Sequence, residues 1–194
     1  MRARLSAMLA AACTATLLVA AAACSTGTDA VNQMNGSDNG FVAAATATKT
    51  YATGDRPDAP AVTGTLLDGT KYTLATDRGH VVVLNFWGSW CAPCRVEAAD
   101  LQSVHAATAA RGVDFVGVNI RDEQDPANAY EQAHGITYPS IFDPSGRVAL
   151  QFRQVPPSAI PSTIVIDATG HIAAIHLGSI TTAQLTGMIT AATS

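Results

Sequence analysis

Two unbroken apolar runs dominate the hydrophobic pattern, VVVLNF at residues 81–86 and VDFVGVNI at 113–120. Both have the length and β-branched content of strands buried on two faces. The first breaks at Gly88 and Ser89. From Pro93 the rhythm turns helical, with Val96, Leu101 and Val104 expected on one face and Pro93 early, where a missing N–H costs nothing. Gly112 stops this helix ahead of the second strand. Asp125-Pro126 predicts another helix, with Asp125 as its cap and Gly135 as its end. Residues 138–142 are short, apolar and extended by Pro139. Asp143 to Gly146 is a turn, and 147–152 a single short helix. Residues 164–167 and 172–177 flank Ala168-Thr169-Gly170 and predict an antiparallel pair, and 181–192 closes the chain as an amphipathic helix on Leu185, Met188 and Ile189. Upstream, 62–67 and 71–74 flank Asp68-Gly69 and predict a hairpin. The order ββ-βαβα-ββα predicts an α/β domain over 57–194: a central mixed sheet, helices on both faces and an N-terminal β-hairpin.

The first quarter of the chain has a different character. Arg2 and Arg4 precede an apolar stretch, about 7–23, that ends in small residues, so 1–23 reads as an export signal. Ala21-Ala22-Ala23-Cys24-Ser25 resembles a bacterial lipobox, with Ala21 standing where Leu is usual. On that reading Cys24 is lipidated and anchors the protein to the membrane; ordinary cleavage that leaves Cys24 free, and an uncleaved signal anchor, are the alternatives. An unpaired thiol is a liability in an oxidising compartment, which favours lipidation. Residues 24–56, rich in Thr, Ala, Gly, Asn and Asp, read as a flexible tether, although the Ala-Thr run at 43–48 has some strand character.

Composition narrows the function. Of 194 residues 48% are hydrophobic, enough for one core, and the net charge is −4. Without a Lys/Arg cluster the chain has no footprint for nucleic acid. Of the four cysteines, Cys13 and Cys24 belong to the N-terminal segment. The folded part therefore holds one pair, Cys91 and Cys94, and no disulfide framework.

Cys91 falls where the first strand gives way to a helix. Unpaired first-turn amides and the positive end of the macrodipole favour a thiolate there. Cys94 is within disulfide reach across a single turn. The other use of such a pair is a metal clip, but zinc wants two further ligands at matched spacing. Of His80, His105, His134, His171 and His176 only the last two are close in sequence, and at spacing five on a strand they face opposite ways. Redox chemistry is the stronger reading, with Cys91 as nucleophile and Cys94 as the thiol that resolves the mixed disulfide. No cofactor is called for.

The segment FWGSWCAPCRVE, residues 86–97, resembles the active-site segment of the thioredoxin-like superfamily, and more closely its extracytoplasmic TlpA/ResA branch (CcsX-type). The opening APxxxxxxLDGxxxxL from Ala59 resembles that branch's N-terminal hairpin, and AIPST at 159–163 resembles the superfamily's cis-proline loop. The resemblance implies a thioredoxin-like fold and thiol-disulfide oxidoreductase activity. It implies that Ile160 and Pro161 present main chain to a bound peptide beside Trp90 and Pro93. It also makes Glu97, on the same helical face as Cys94, part of the active site, where a carboxylate can exchange the Cys94 proton. A solvated glutamate is the alternative. Thioredoxins carry a buried Asp at the position of Asn85; an amide cannot titrate, which leaves Glu97 as the nearest acid. Trp87 fits either core or docking surface, Pro156 and Pro157 shape the approach to the cis loop, and Asp122 falls, at a loose spacing, near a further acid of ResA-like proteins.

Ala92-Pro93 brings neither charge nor His between the cysteines, so a reducing couple is expected. The resemblance implies a CcdA-type membrane electron donor and, as substrate, the haem-binding cysteines of apocytochrome c. Two other functions stay open: a thiol oxidase that introduces disulfides into secreted proteins, and a copper-delivery module using Cys91, Cys94 and a distal His.

Overall fold

The computed structural model describes residues 47–156 and 158–194. The export signal, Cys24, the first part of the expected tether and Pro157 lie outside the described residues.

Among the described residues, eight strands and three α-helices follow in order: β1 Ala47–Thr50, β2 Thr63–Thr65, β3 Lys71–Thr73, β4 Val81–Trp87, α1 Ala92–Thr108, β5 Val113–Ile120, α2 Gln124–His134, β6 Ser140–Asp143, β7 Ser162–Ile166, β8 Ile172–Leu177 and α3 Thr182–Ala192. Six strands form one sheet in the order β1-β8-β7-β4-β5-β6, and β2-β3 is the separate hairpin. β4, β5 and β6 run parallel, whereas β7, β8 and β1 are added antiparallel. The apolar run of β4 is thus the middle of the sheet, and all seven of its residues are buried.

Alternation along β4 divides the core. Val82, Leu84 and Phe86 pack with Val62, Leu74, Ala149, Phe152 and Val155, which come from loops, the hairpin region and single turns of 3-10 helix. Val81 and Val83 pack on the other face under Leu101 and Val104 of α1 and Leu185, Met188 and Ile189 of α3. Trp87, on that same face, meets Ala98 of α1 and Ala127 and Tyr130 of α2. Helical elements do lie on both faces, but all three α-helices share one. Right-handed β4-α1-β5 and β5-α2-β6 crossovers that advance in one direction place their helices on the same side.

Four expectations need correction. The tether does not extend to residue 56, because Ala47–Thr50 pairs with β8 and the Arg56 guanidinium, its side chain 5% exposed, binds the Asp167 carboxylate at 3.0 Å and the Ala191 carbonyl at 2.7 Å. All four β1 residues are exposed, so no apolar alternation marks a strand held by main-chain pairing. Residues 138–142 contribute the strand β6, which with β1 was absent from the expected order. Val96 is 73% exposed; the buried stripe of α1 is Cys94, Glu97, Ala98, Leu101, Val104 and Thr108. That stripe contains a cysteine and a carboxylate, so hydrophobic spacing alone chose the wrong partner for Leu101. Asp125 sits inside the first turn of α2 rather than capping it: Glu123 is the cap residue, and the Asp122 carboxylate accepts its N–H at 2.9 Å.

Candidate redox site

β4 ends at Trp87, and residues 88–90 carry the chain to Cys91, the N-cap of α1. The turn closes through the Cys91 N–H, which donates to the Gly88 carbonyl at 3.0 Å. Gly88 must lack a side chain because a Cβ there would meet the Trp90 indole at 2.7 Å. Asp122 fixes the turn from below: its carboxylate accepts the Ser89 N–H at 2.6 Å, the Ser89 hydroxyl at 2.8 Å and the Asn119 amide at 2.8 Å. Burial disfavours its charge, but these donors outweigh burial and hold the carboxyl below its ordinary range. Trp90 is 41% exposed, and its indole N–H donates to the carbonyl of Arg121, a residue with φ of 50°. The apolar ring therefore lies at the surface beside the cysteines with a fixed orientation.

Cys91 and Cys94 are disulfide-bonded, with Cα atoms 5.3 Å apart. The Cys94 N–H points at Cys91 Sγ at 3.2 Å. On reduction the same amide, with the dipole behind it, faces the developing thiolate. Tyr130 donates its hydroxyl to the Cys94 carbonyl at 2.8 Å. The Ile160–Pro161 peptide bond is cis, and half-buried Ile160 packs against the cluster of Leu67, Trp87, Cys91 and Cys94. Pro93 is exposed next to the pair. Trp90, Pro93, Cys91 and Ile160 thus come together at one end of the sheet, whereas Trp87 is core, stacked on Tyr130 at 4.5 Å between ring centroids.

Glu97 is 1% exposed. Asn85 Nδ2 donates to its Oε1 at 2.8 Å and to Thr163 Oγ1 at 3.2 Å, and the Ile180 N–H donates to its Oε2 at 2.9 Å. Burial pushes the carboxyl up from 4.5 to about 8; the two donors oppose that rise, and the charge of Asp100 adds to it. A carboxyl that holds its proton more tightly than an ordinary glutamate therefore lies one helical turn beyond Cys94. Among the described residues no three His, Cys, Asp or Glu side chains converge as a metal site.

Sequence reasoning missed the contribution of Ser179 and Ile180. Ser179 Oγ donates to the Pro93 carbonyl at 3.0 Å and the Ile180 amide reaches Glu97. The second is a main-chain contact, which no residue type announces. Tyr130 was detectable only as part of the apolar stripe of α2.

Residues 56–175 match the AhpC/TSA family. The chain belongs to that family. Within it, the chain stands among the ResA-like thiol-disulfide oxidoreductases. The thiol-disulfide oxidoreductase ResA of Geobacillus kaustophilus (strain HTA426) is 30% identical over 123 residues, 63% of this chain and 69% of that one. Among solved structures, a DsbF homologue from Corynebacterium diphtheriae aligns with a TM-score of 0.70 at 39% identity, covering 74% of this chain and 91% of the other. A secreted thiol-disulfide isomerase from Corynebacterium glutamicum aligns with a TM-score of 0.72 at 34% identity, covering 84% and 98%. The thioredoxin-like fold expected from the FWGSWCAPCRVE segment is the fold observed.

Proposed function

We propose that this protein is an extracytoplasmic protein-disulfide reductase in which Cys91, Cys94 and Glu97 carry the chemistry. The supporting observation is the arrangement of a cysteine pair at a helix N-terminus, one member facing an exposed apolar rim, the other backed by a buried acid. In the reduced protein the Cys91 thiolate attacks one sulfur of a substrate disulfide, forming a mixed disulfide and releasing the other sulfur as a thiolate that takes up a proton. Glu97, in its ionised form, accepts the Cys94 proton. The Cys94 thiolate then attacks Cys91 Sγ, the substrate leaves as a dithiol, and the pair of electrons it gained is replaced by the Cys91–Cys94 bond. Trp90, Pro93, Ile160 and Pro161 bind the partner peptide on either side of the sulfurs.

The reading extends to cell biology. Export by residues 1–23, lipidation of Cys24 and a spacer that follows it place the domain on the outer side of a bacterial membrane, within reach of a CcdA-type electron donor. The secreted character of the Corynebacterium glutamicum relative supports that location. The haem-binding cysteines of apocytochrome c are the proposed substrate. The same relative is named an isomerase, which favours a second reading, an oxidase or isomerase of secreted proteins. The redox potential separates them: a reductase sits at about −270 mV, as thioredoxin does, and a strong oxidant at about −120 mV. The decisive experiment is a Cys94→Ser trap. A covalent complex with a c-type apocytochrome supports the substrate; exclusive capture of other secreted proteins rejects it. Intact mass of membrane-extracted protein tests the anchor, and an unmodified N-terminus beyond Cys24 rejects it.

A further inference from the structure

His176 is a buried titratable side chain that this mechanism does not use. His176 of β8 is 1% exposed and stands in register between Thr48 of β1 and Thr163 of β7. Its Nε2 is 3.2 Å from the Ser179 carbonyl oxygen and its Nδ1 is 2.6 Å from Thr48 Oγ1. A carbonyl only accepts, so Nε2 carries a proton and donates it; in the neutral ring Nδ1 then accepts from the Thr48 hydroxyl. The carbonyl it meets belongs to the same peptide unit as the Ile180 N–H that donates to Glu97 Oε2 at 2.9 Å. This peptide is trans, so its C=O and N–H point in opposite directions. A donor on its oxygen polarises the unit and makes its N–H a stronger donor. Ser179 Oγ, bound to the Pro93 carbonyl at 3.0 Å, fastens the same unit to the first turn of α1.

We propose that His176 is a positioning residue for the redox centre: through the Ser179–Ile180 peptide it holds and polarises the amide facing Glu97, and so biases that carboxyl toward its ionised form. The proposal rests on the reading of Glu97 as the proton partner of Cys94. Other titratable groups face Glu97 as well: Cys94 and Asp100 from α1, Tyr130 from α2 and Tyr138 from the approach to β6. Its neighbours from β4 and β7, Asn85 and Thr163, carry no charge. Unlike these groups, His176 acts through the Ser179–Ile180 peptide and its amide.

The test follows the side-chain carboxyl resonances of ¹³C-labelled glutamate in the oxidised full chain, with Glu97→Gln to assign the signal. His176→Met removes the donor and should raise the Glu97 midpoint by about 0.5–1 unit, a roughly three- to tenfold gain in proton affinity. His176→Gln, whose amide N–H can reach the same carbonyl, should return it to within about 0.2 unit of wild type. If the methionine variant does not fold, the wild-type protein carries the test, because the ¹⁵N resonance of His176 Nε2 should step at the pH where Glu97 ionises. The relay is overturned by a folded His176→Met protein with an unmoved midpoint, by a glutamine variant shifted as far as the methionine one, or by an Nε2 signal without that step. Thiol titration of Glu97→Gln in the reduced protein is a separate measurement. An unchanged Cys94 there removes the proton-partner role of Glu97, whereas a moved carboxyl midpoint in His176→Met still supports the relay.

Discussion

Two of the buried carboxylates, Glu97 and Asp167, are held in opposite ways. Glu97, under α1, has two neutral donors and no cation, and is driven up to about 8. Asp167, at the turn between β7 and β8, is also buried, yet the Thr169 hydroxyl, the His171 and Thr169 amides and the Arg56 guanidinium outweigh burial and bring it down to about 2. One site keeps its charge at every physiological pH and closes a corner of the fold. The other, one helical turn beyond Cys94, gives up its proton only at higher pH. Burial alone predicts neither outcome; the number and charge of the donors does.

The sharpest way to break this comparison is Asp167→Ala. It strands a guanidinium whose side chain is 5% exposed and should cost about 3–5 kcal/mol in denaturant unfolding at neutral pH. Turnover per folded molecule should not change, and a loss under about 1 kcal/mol would mean that the ion pair is not structural.

Next is the pH dependence of Glu97 in the oxidised protein. Its folded pKa lies above its unfolded one, so the folded state holds the extra proton between 4.5 and about 8. Stability from this group is therefore full below 4.5 and declines as pH rises toward 8, by a few kcal/mol on the scale of ~1.4 per unit. Glu97→Gln should flatten that limb. At about pH 5 it should itself cost about 1–2 kcal/mol, because an amide offers only one oxygen to Asn85 and Ile180. For Asp167 the sign reverses: its contribution is present above the unfolded value of 3.8 and lost as pH falls toward about 2. Stability curves of wild type and the two variants, measured from about pH 2 to 9, check both limbs. Smallest is Thr169→Val, which removes a 2.6 Å hydroxyl donor from Asp167 and should cost about 1 kcal/mol.

Much of this was legible in the chain. The run from Val81 and the span Val113–Ile120 gave two central strands because side chains buried on both faces leave a continuous apolar record. Thr181 and Gln184 form the capping box that begins α3, where the helical rhythm was expected to start. The cis bond at Pro161 came from resemblance rather than from spacing. β1 left only the weak strand character of the Ala-Thr run at 43–48, since an exposed edge strand has no buried face to encode. Glu97 could be placed on the face of Cys94 by counting, but its burial could not, since a carboxylate reads as solvent-facing until its donors are known. Asp122 was marked only through a loosely spaced resemblance, and its contacts with the Ser89 amide and hydroxyl leave no mark in the sequence.

The line of residues Thr48, His176, Thr163, Asn85, Gly117 and Ser140 lies in register across all six strands. Because a shift of one residue flips a strand's side chains to the other face, such a line is a key to the register of the sheet. Slipping the strand of His176, Thr163 or Asn85 by a single residue would turn that polar side chain toward the largely apolar face that holds Leu84 and Ile164, and set a neighbour from that face against the line. At Gly117 the key is steric as well, because any Cβ would collide with the Ser140 hydroxyl and the Trp87 indole. Asn85 and Thr163, which meet beside the carboxyl next to Cys94, thus also discriminate against misaligned sheets.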